Sequence, residues 1–138
     1  AKPAPNRNPP MIEALSSANL PAPRFRYSPL VKAGPFYQSA GMIALSTQTG
    51  ALEPGGVGPE TARILANLLQ ALPDFGLTLD DLVNATIYTT RMDEFPAINA
   101  AWEAVFTAGQ RPPARTSVGV SALPLGAGVE ITFAFYRT

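Results

Sequence analysis

The chain has 138 residues, of which 46% are hydrophobic and 14% charged, and its 10 basic and 10 acidic residues give a formal net charge of zero. This length fits one domain with a single core and excludes a multidomain protein. The basic residues are scattered and form no stripe that would suit a phosphate backbone, so nucleic acid is not the expected partner.

The sequence contains no cysteine and no histidine. Thiol nucleophiles, serine–histidine triads, disulfides and the usual zinc and haem sites each need one of them. We therefore expect any chemistry to come from carboxylates, arginines, hydroxyls and backbone amides, without a metal or cofactor. No apolar window approaches the roughly 18 residues of a membrane span, and the first ten residues lack the apolar core of a secretory signal. We expect a cytoplasmic protein without membrane contact.

Proline dominates the beginning of the chain. Six of the 15 prolines lie within the first 23 residues, which favours an extended arm over a packed element. We therefore divide the chain into a Pro-rich N-terminal arm, residues 1–24, and a globular domain, residues 25–138.

The globular domain opens with two strand-like runs, residues 25–31 and 35–45, joined by a turn at Lys32-Ala33-Gly34. A glycine-rich loop follows. A helix is predicted to begin near Pro59, because leucine and isoleucine then recur at helical spacing, and to fade at residues 73–76. Residues 82–90 are β-branched and aromatic enough to predict a third strand.

A second helix is predicted after this strand, with Asp93 as its N-cap and Pro96 in its first turn. Gly109 should end it. Its apolar face comprises Phe95, Ile98, Trp102, Val105 and Phe106. Two further strands, at about residues 115–121 and 128–136, flank the turn "LPLGAG".

The predicted order is β-β-α-β-α-β-β. Right-handed crossovers place both helices on one face of a mixed sheet. In the last strand, every second residue from Val129 to Phe135 should pack beneath the helices. The residues between them, beginning with Glu130, should point to the opposite face of the sheet. Because that second face carries so little charge, we expect another copy of the chain to cover it, in a homo-oligomer with sheets facing inward.

Arg115 and Glu130 are the only charged residues in "PPARTSVGVSALPLGAGVEITFAF", residues 112–135. An unpaired buried charge costs about several kcal/mol, so each needs a partner. One interpretation is a structural ion pair that braces an interface. The other is a pocket in which the guanidinium grips a small carboxylic acid while the carboxylate orients or deprotonates a water. The pair would lie within one subunit if the two strands form a hairpin, and across a subunit boundary otherwise.

Five segments, with their order and spacing, carry a resemblance to a known family: "YSPLVKAG", "AGMIALSTQTGAL", "ARILANLLQAL", "DDLVNATIYTTRMDEFPAINAAWEAVF" and "PPARTSVGVSALPLGAGVEI". Over about residues 25–135 the chain resembles the RidA/YjgF family of enamine/imine deaminases. The most specific feature is "PART", followed fifteen residues later by the glutamate of "VEI". The resemblance implies a chorismate-mutase-like α/β (α+β) subunit, a homotrimer whose sheets form a central barrel, and clefts between subunits.

The resemblance also implies a site. Arg115 would bind the substrate carboxylate, and Glu130 would direct the attacking water. The remaining substrate-binding positions would be Tyr27, Gly41, Asn99 and Ser117. From the residues alone, packing explains Tyr27 better than a site role does, and Asn99 could equally cap the helix or bridge it to a loop.

The implied activity is hydrolysis of reactive 2-enamino or 2-imino acids to ammonia and a 2-keto acid, which needs neither a metal nor a covalent nucleophile. The alternative is a non-catalytic protein that binds keto acids in the same pocket. A ribonuclease is disfavoured by the neutral charge and the missing histidine. Ala40-Gly41-Met42 stands where many members carry serine-glycine-glutamine, and Ser117 where several carry cysteine. These departures leave open a paralogue with a larger or more apolar substrate.

Overall fold

A computed structural model describes residues 11–138. This part of the chain forms two α-helices, α1 (Val57–Ala71) and α2 (Phe95–Val105). It also forms six strands: β1 (Ile12–Leu15), β2 (Leu30–Ala33), β3 (Phe36–Ser39), β4 (Leu82–Thr89), β5 (Ala114–Gly119) and β6 (Val129–Tyr136). Short 3₁₀ turns connect several of these elements.

The strands form one sheet in the order β1-β2-β3-β6-β4-β5. β4 and β5 run parallel, whereas the other neighbours are antiparallel, so the sheet is mixed as predicted. Ile64 of α1 and Ile98 of α2 belong to the same buried cluster as Ile131 and Phe133 of β6. Both helices therefore cover one face of the sheet, which confirms the predicted α+β subunit.

Strand β6 supplies the centre of the core. Val129, Ile131 and Phe133 are fully buried and Phe135 nearly so, while Glu130 and its alternates are partly exposed on the opposite face. Each large side chain buried in this way contributes about 1.5–3 kcal/mol to folding. The predicted alternation is confirmed, and it is what turns Glu130 away from the helices.

Strand β1 was not predicted. It pairs antiparallel with β2, from Ile12 opposite Ala33 to Leu15 opposite Leu30. The prolines that predicted an extended arm lie on either side of this strand and interrupt none of its pairing. The expectation of an unpacked arm is therefore wrong for residues 12–15, and the sheet begins before residue 25. The first ten residues of the predicted arm lie outside the described residues.

The first two predicted strands are shorter than expected, and the run 35–45 is a strand only over Phe36–Ser39. The run 25–31 becomes a strand only at Leu30, and the hairpin turn is Gly34-Pro35, one residue later than expected. Gly34 has φ 59°, a left-handed conformation that glycine adopts without steric cost. Helix α1 begins at Val57, so Pro59 lies inside its first turn.

The predicted N-cap of the second helix is wrong. Asp93 lies in a 3₁₀ turn, and α2 begins at Phe95 without a side-chain cap. The Asp93 carboxylate accepts hydrogen bonds from Nε and Nη2 of Arg91 at 3.2 and 3.1 Å instead. A nearby guanidinium thus captures the carboxylate that would otherwise accept from the helix backbone. Pro96 does occupy the first turn, as predicted.

Candidate active site

Glu130 lines a cleft of about 570 Å³ together with Tyr27 and Gly41. We call this space the Glu130 cleft. Three of the six residues predicted for the site therefore meet in one cavity of a single chain. Burial raises the pKa of the Glu130 carboxyl above its ordinary value, because a poorly hydrated environment disfavours the charged form. A carboxyl with a raised pKa exchanges protons closer to neutral pH.

An irregular strand brings the backbone of Gly41 against this carboxylate. Gln38 pairs with Ala134 and Met42 with Ile131, so four steps along one strand match three along the other. The extra residue is a bulge, a feature that commonly re-aims side chains beside active sites. A Cβ built on Gly41 would lie 2.5 Å from Oε2 of Glu130. Glycine at this position therefore lets the carboxylate and the main chain approach each other.

Tyr27 lies in the loop between β1 and β2, and half of its surface is exposed. A tyrosine that served only to fill the core would be largely buried. Its ring instead forms part of the wall of the Glu130 cleft.

Arg115 lies in a different cavity, of about 360 Å³, which we call the Arg115 cavity. Its Nη2 donates a hydrogen bond of 2.8 Å to Oδ1 of Asn99 on α2. The guanidinium carbon lies 5.2 Å from the ring centroid of Trp102 and 5.5 Å from that of Phe95, within range for cation–π contact. Among residues 11–138, no carboxylate forms a salt bridge with Arg115.

The two charged residues lie on opposite faces of the sheet. Arg115 is opposite Ala85, which in turn is opposite Phe133, so all three Cβ atoms lie on the helix-covered face. Glu130 is opposite Tyr88, on the other face. β5 pairs with β4 and not with β6, so the hairpin alternative is wrong. One chain does not bring Arg115 and Glu130 together.

Ser117 lies two residues after Arg115 on β5, opposite Ile87, and is exposed. It therefore shares the face of Arg115 but lines neither cavity. Its predicted role in substrate binding stays a prediction.

Several residues beside Arg115 or in the Glu130 cleft were not predicted as site residues. Trp102 and Phe95 were assigned only to the core, yet both also contact Arg115. The additional side chains of the Glu130 cleft include Arg24, Phe25, Ile43, Leu45 and Leu125. A signal for Leu125 was present in the sequence, because it precedes glycine in the tight turn "LPLGAG", where unusual backbone conformations are common.

Neither a metal centre nor a membrane span emerges from residues 11–138. No group of three or more carboxylates in this range is arranged to hold a metal ion, and the chain has no histidine or cysteine. None of the helices in the same range is long and apolar enough to cross a membrane.

Comparison with known proteins shows which family the chain belongs to. A sequence model of the family described as Endoribonuclease L-PSP matches residues 17–135. The crystal structure of the YjgF gene product of E. coli superposes with a TM-score of 0.85 at 28% identity, covering 91% of this chain and 99% of that one. The chain belongs to the RidA/YjgF family.

Relatives within the RidA/YjgF family carry different names. A RutC family protein of Pyrococcus horikoshii is 33% identical over 127 residues, covering 92% of this chain and 99% of the relative. A mouse protein named 2-iminobutanoate/2-iminopropanoate deaminase is 31% identical over 119 residues, covering 86% and 87%. The family and its two-helix, mixed-sheet fold are thus shown.

Proposed function

We propose that this RidA/YjgF protein is a hydrolytic deaminase of reactive 2-enamino and 2-imino acids. In this proposal two copies of the chain complete each site, one contributing Arg115 and the next contributing Glu130, within a homotrimer. The observation that supports it is the placement of these residues on opposite faces of one sheet, each beside its own open cavity. A second copy is the simplest way to unite two halves that one chain keeps apart.

The Glu130 side chain suits proton transfer to and from water. The carbon of a protonated imine held beside the ionised carboxylate would be attacked by a water, whose proton passes to the carboxylate as the C–O bond forms and the C=N π electrons move to nitrogen. The carboxyl then returns this proton to the nitrogen of the carbinolamine and takes the hydroxyl proton as the C–N bond breaks and the C=O bond forms. The products are a 2-keto acid and ammonia, which leaves as ammonium with the proton from the carboxyl. The raised pKa of Glu130 favours these proton transfers, because the group accepts and returns a proton at a pH closer to neutrality than an ordinary carboxyl does.

The Arg115 side chain suits recognition of the substrate carboxylate. Among the described residues, its only hydrogen-bond partner is Asn99, through Nη2, and the rings of Phe95 and Trp102 support the guanidinium. A guanidinium held in this way is pre-organised for two parallel hydrogen bonds to a carboxylate. Binding by the carboxylate would place the neighbouring imine carbon at a fixed distance from the catalytic group.

The family comparison supports this class of reaction. The mouse relative is named for the deamination of 2-iminobutanoate and 2-iminopropanoate. The RutC name of the Pyrococcus relative specifies no reaction. The reaction itself therefore has to be tested directly.

The first test measures imine hydrolysis. An L-amino-acid oxidase generates 2-iminobutanoate in the presence of catalase and semicarbazide, and the loss of semicarbazone reports enzymatic hydrolysis of the free imine. The wild type should outpace spontaneous hydrolysis, whereas Arg115→Ala and Glu130→Gln should not. A wild type that leaves the spontaneous rate unchanged contradicts the proposal and favours a keto-acid-binding protein.

The second test asks whether sites form between copies. Arg115→Ala and Glu130→Gln chains, carrying different tags, are co-expressed and the mixed oligomers isolated. If each site takes Arg115 and Glu130 from different copies, one of the three sites in every trimer that contains both kinds of chain has both residues intact. The isolated mixed trimers should then recover about a third of wild-type activity. No recovery in oligomers that contain both tags would place the two residues in one chain and overturn this assignment.

A further inference from the structure

The surface of the Glu130 cleft is mainly apolar. Apart from Glu130, its charged wall residue is Arg24, whose Nη2 already donates to the carbonyl oxygen of Gly50 at 2.7 Å. The rest of the wall includes Phe25, Ile43 and Leu45. Its volume of about 570 Å³ falls within the range of roughly 300–1,000 Å³ found for pockets that hold drug-sized ligands. Within a single chain, a methyl or ethyl side chain would occupy little of this volume.

Leu125 adds an apolar side chain to this cleft at the expense of backbone strain. It has φ 57° and ψ 24°, and is the one non-glycine residue among those described with positive φ. More than half of its surface is exposed at the cleft. A leucine in this conformation is uncommon, and such strain persists mainly at functional sites. Asparagine or glycine would adopt the same turn more readily, so the turn alone does not explain the leucine.

Phe25 is the other strongly exposed apolar residue in the cleft, with 81% of its surface accessible. Phe25 and Leu125 come from distant parts of the sequence, the loop before β2 and the turn before β6. Both side chains line the cleft that Glu130 lines, so two separate parts of the chain supply apolar wall to the same space as the carboxylate. A substrate whose reacting carbon lies at Glu130 would extend its side chain over this surface.

We infer that the preferred substrates are 2-imino acids with long apolar side chains of four or more carbons, which the Glu130 cleft binds through Phe25, Leu125 and their apolar neighbours. This inference rests on the proposed deaminase function. It extends that function by naming the substrate class and the specificity-determining residues. The gain arises because each methylene that displaces water from an apolar wall tightens binding about fourfold.

A homologous series tests the inference. The 2-imino acids derived from alanine, 2-aminobutyrate, norvaline and norleucine differ by one methylene at each step. We expect kcat/KM of the wild-type oligomer to rise about fourfold per methylene, or roughly 60-fold over the series. Calorimetric titration with the matching 2-keto acids, pyruvate to 2-oxohexanoate, should show the same trend in affinity. 2-Oxoglutarate provides an acidic comparison of similar length.

The two readouts separate failure of the inference from failure of the proposed function. Affinity that rises with chain length, without any turnover, supports the apolar cleft and refutes the deaminase. Turnover that is flat or falls along the series, or 2-oxoglutarate as the tightest ligand, refutes the apolar preference while the deaminase stands. Neither turnover nor keto-acid binding would refute both.

A pair of variants tests whether Leu125 is responsible for the preference for long apolar side chains. Leu125→Asn keeps nearly the same side-chain size and suits the left-handed backbone, so the fold should be retained while the cleft gains a polar amide. In this variant, kcat/KM should depend much less on the length of the substrate's side chain. Leu69→Gln, a partly exposed position on α1 that lines neither cavity, serves as the control and should leave the dependence intact. An unaltered dependence in Leu125→Asn would overturn the assignment to this wall.

Discussion

The Glu130 cleft and the Arg115 cavity place opposite charges in opposite environments. The carboxylate lies against the Gly41 main chain in a mainly apolar space, where burial raises its pKa. The guanidinium is exposed, rests near two aromatic rings and donates to one amide oxygen. The first environment suits a group that must change its protonation state, and the second suits one that must keep its charge and bind an anion.

The largest expected effect comes from removing the titratable group in the Glu130 cleft. Glu130→Gln keeps the shape of the side chain but can neither accept nor return a proton, so kcat for imine hydrolysis should fall about 10²- to 10⁴-fold. Steady-state kinetics on 2-iminobutanoate would measure this loss. A fall in kcat of less than about tenfold would mean that the carboxylate is not the proton carrier, and the contrast between the two cavities would lose its functional meaning.

The next effect tests the close approach of Gly41 to the carboxylate. In Gly41→Ala the new Cβ would meet Oε2 of Glu130 at 2.5 Å, so the carboxylate must move. A shift of about 1 Å at a catalytic group can cost about 10²-fold in rate, and we expect kcat to fall by about that factor. Gly109→Ala is the matched control, because a Cβ there meets nothing within 4 Å. Equal activity of the two variants would contradict the positioning role of Gly41.

A smaller effect is expected in the Arg115 cavity. Asn99→Asp would place a carboxylate against Nη2 of Arg115, where it would form an ion pair and compete with the substrate carboxylate. KM should rise about tenfold with little change in kcat, since the proposed proton carrier, Glu130, lies in the other cavity. Asn99→Ala, which adds no charge, should raise KM less. If kcat falls and KM stays constant, Arg115 does not serve mainly in substrate binding.

The smallest effect concerns stability and its dependence on pH. The raised pKa of Glu130 means that folding favours the protonated carboxyl, and that wild-type stability declines as the pH rises through the folded-state pKa. Glu130→Gln avoids this loss. Its melting temperature should exceed that of the wild type by about a few degrees at pH 7, with the difference closing below about pH 4. Thermal denaturation followed by circular dichroism at both pH values measures this. A wild type that is the more stable at pH 7 would contradict the proposed burial.

Local patterns were enough to predict most of the elements. The alternation from Val129 to Phe135 identified the core strand, and the spacing of Ile98 and Trp102 identified the buried face of α2. Strand β1 escaped prediction because its four residues are surrounded by prolines, which dominate the composition of that segment. Asp93 was misassigned because its carboxylate is taken by Arg91, a competition that a capping pattern does not reveal.

For the site, the sequence by itself determined that Arg115 and Glu130 carry the unusual charges, since their isolation in an apolar stretch is a property of the chain alone. Only the tertiary structure decided that they lie on opposite faces, because β5 adds to the sheet beside β4. It also decided that Leu125 and Phe25 line the same cleft as the Glu130 carboxylate. Side-chain periodicity depends on neighbours within a few residues, whereas strand order and cavity walls depend on contacts between residues far apart in the chain.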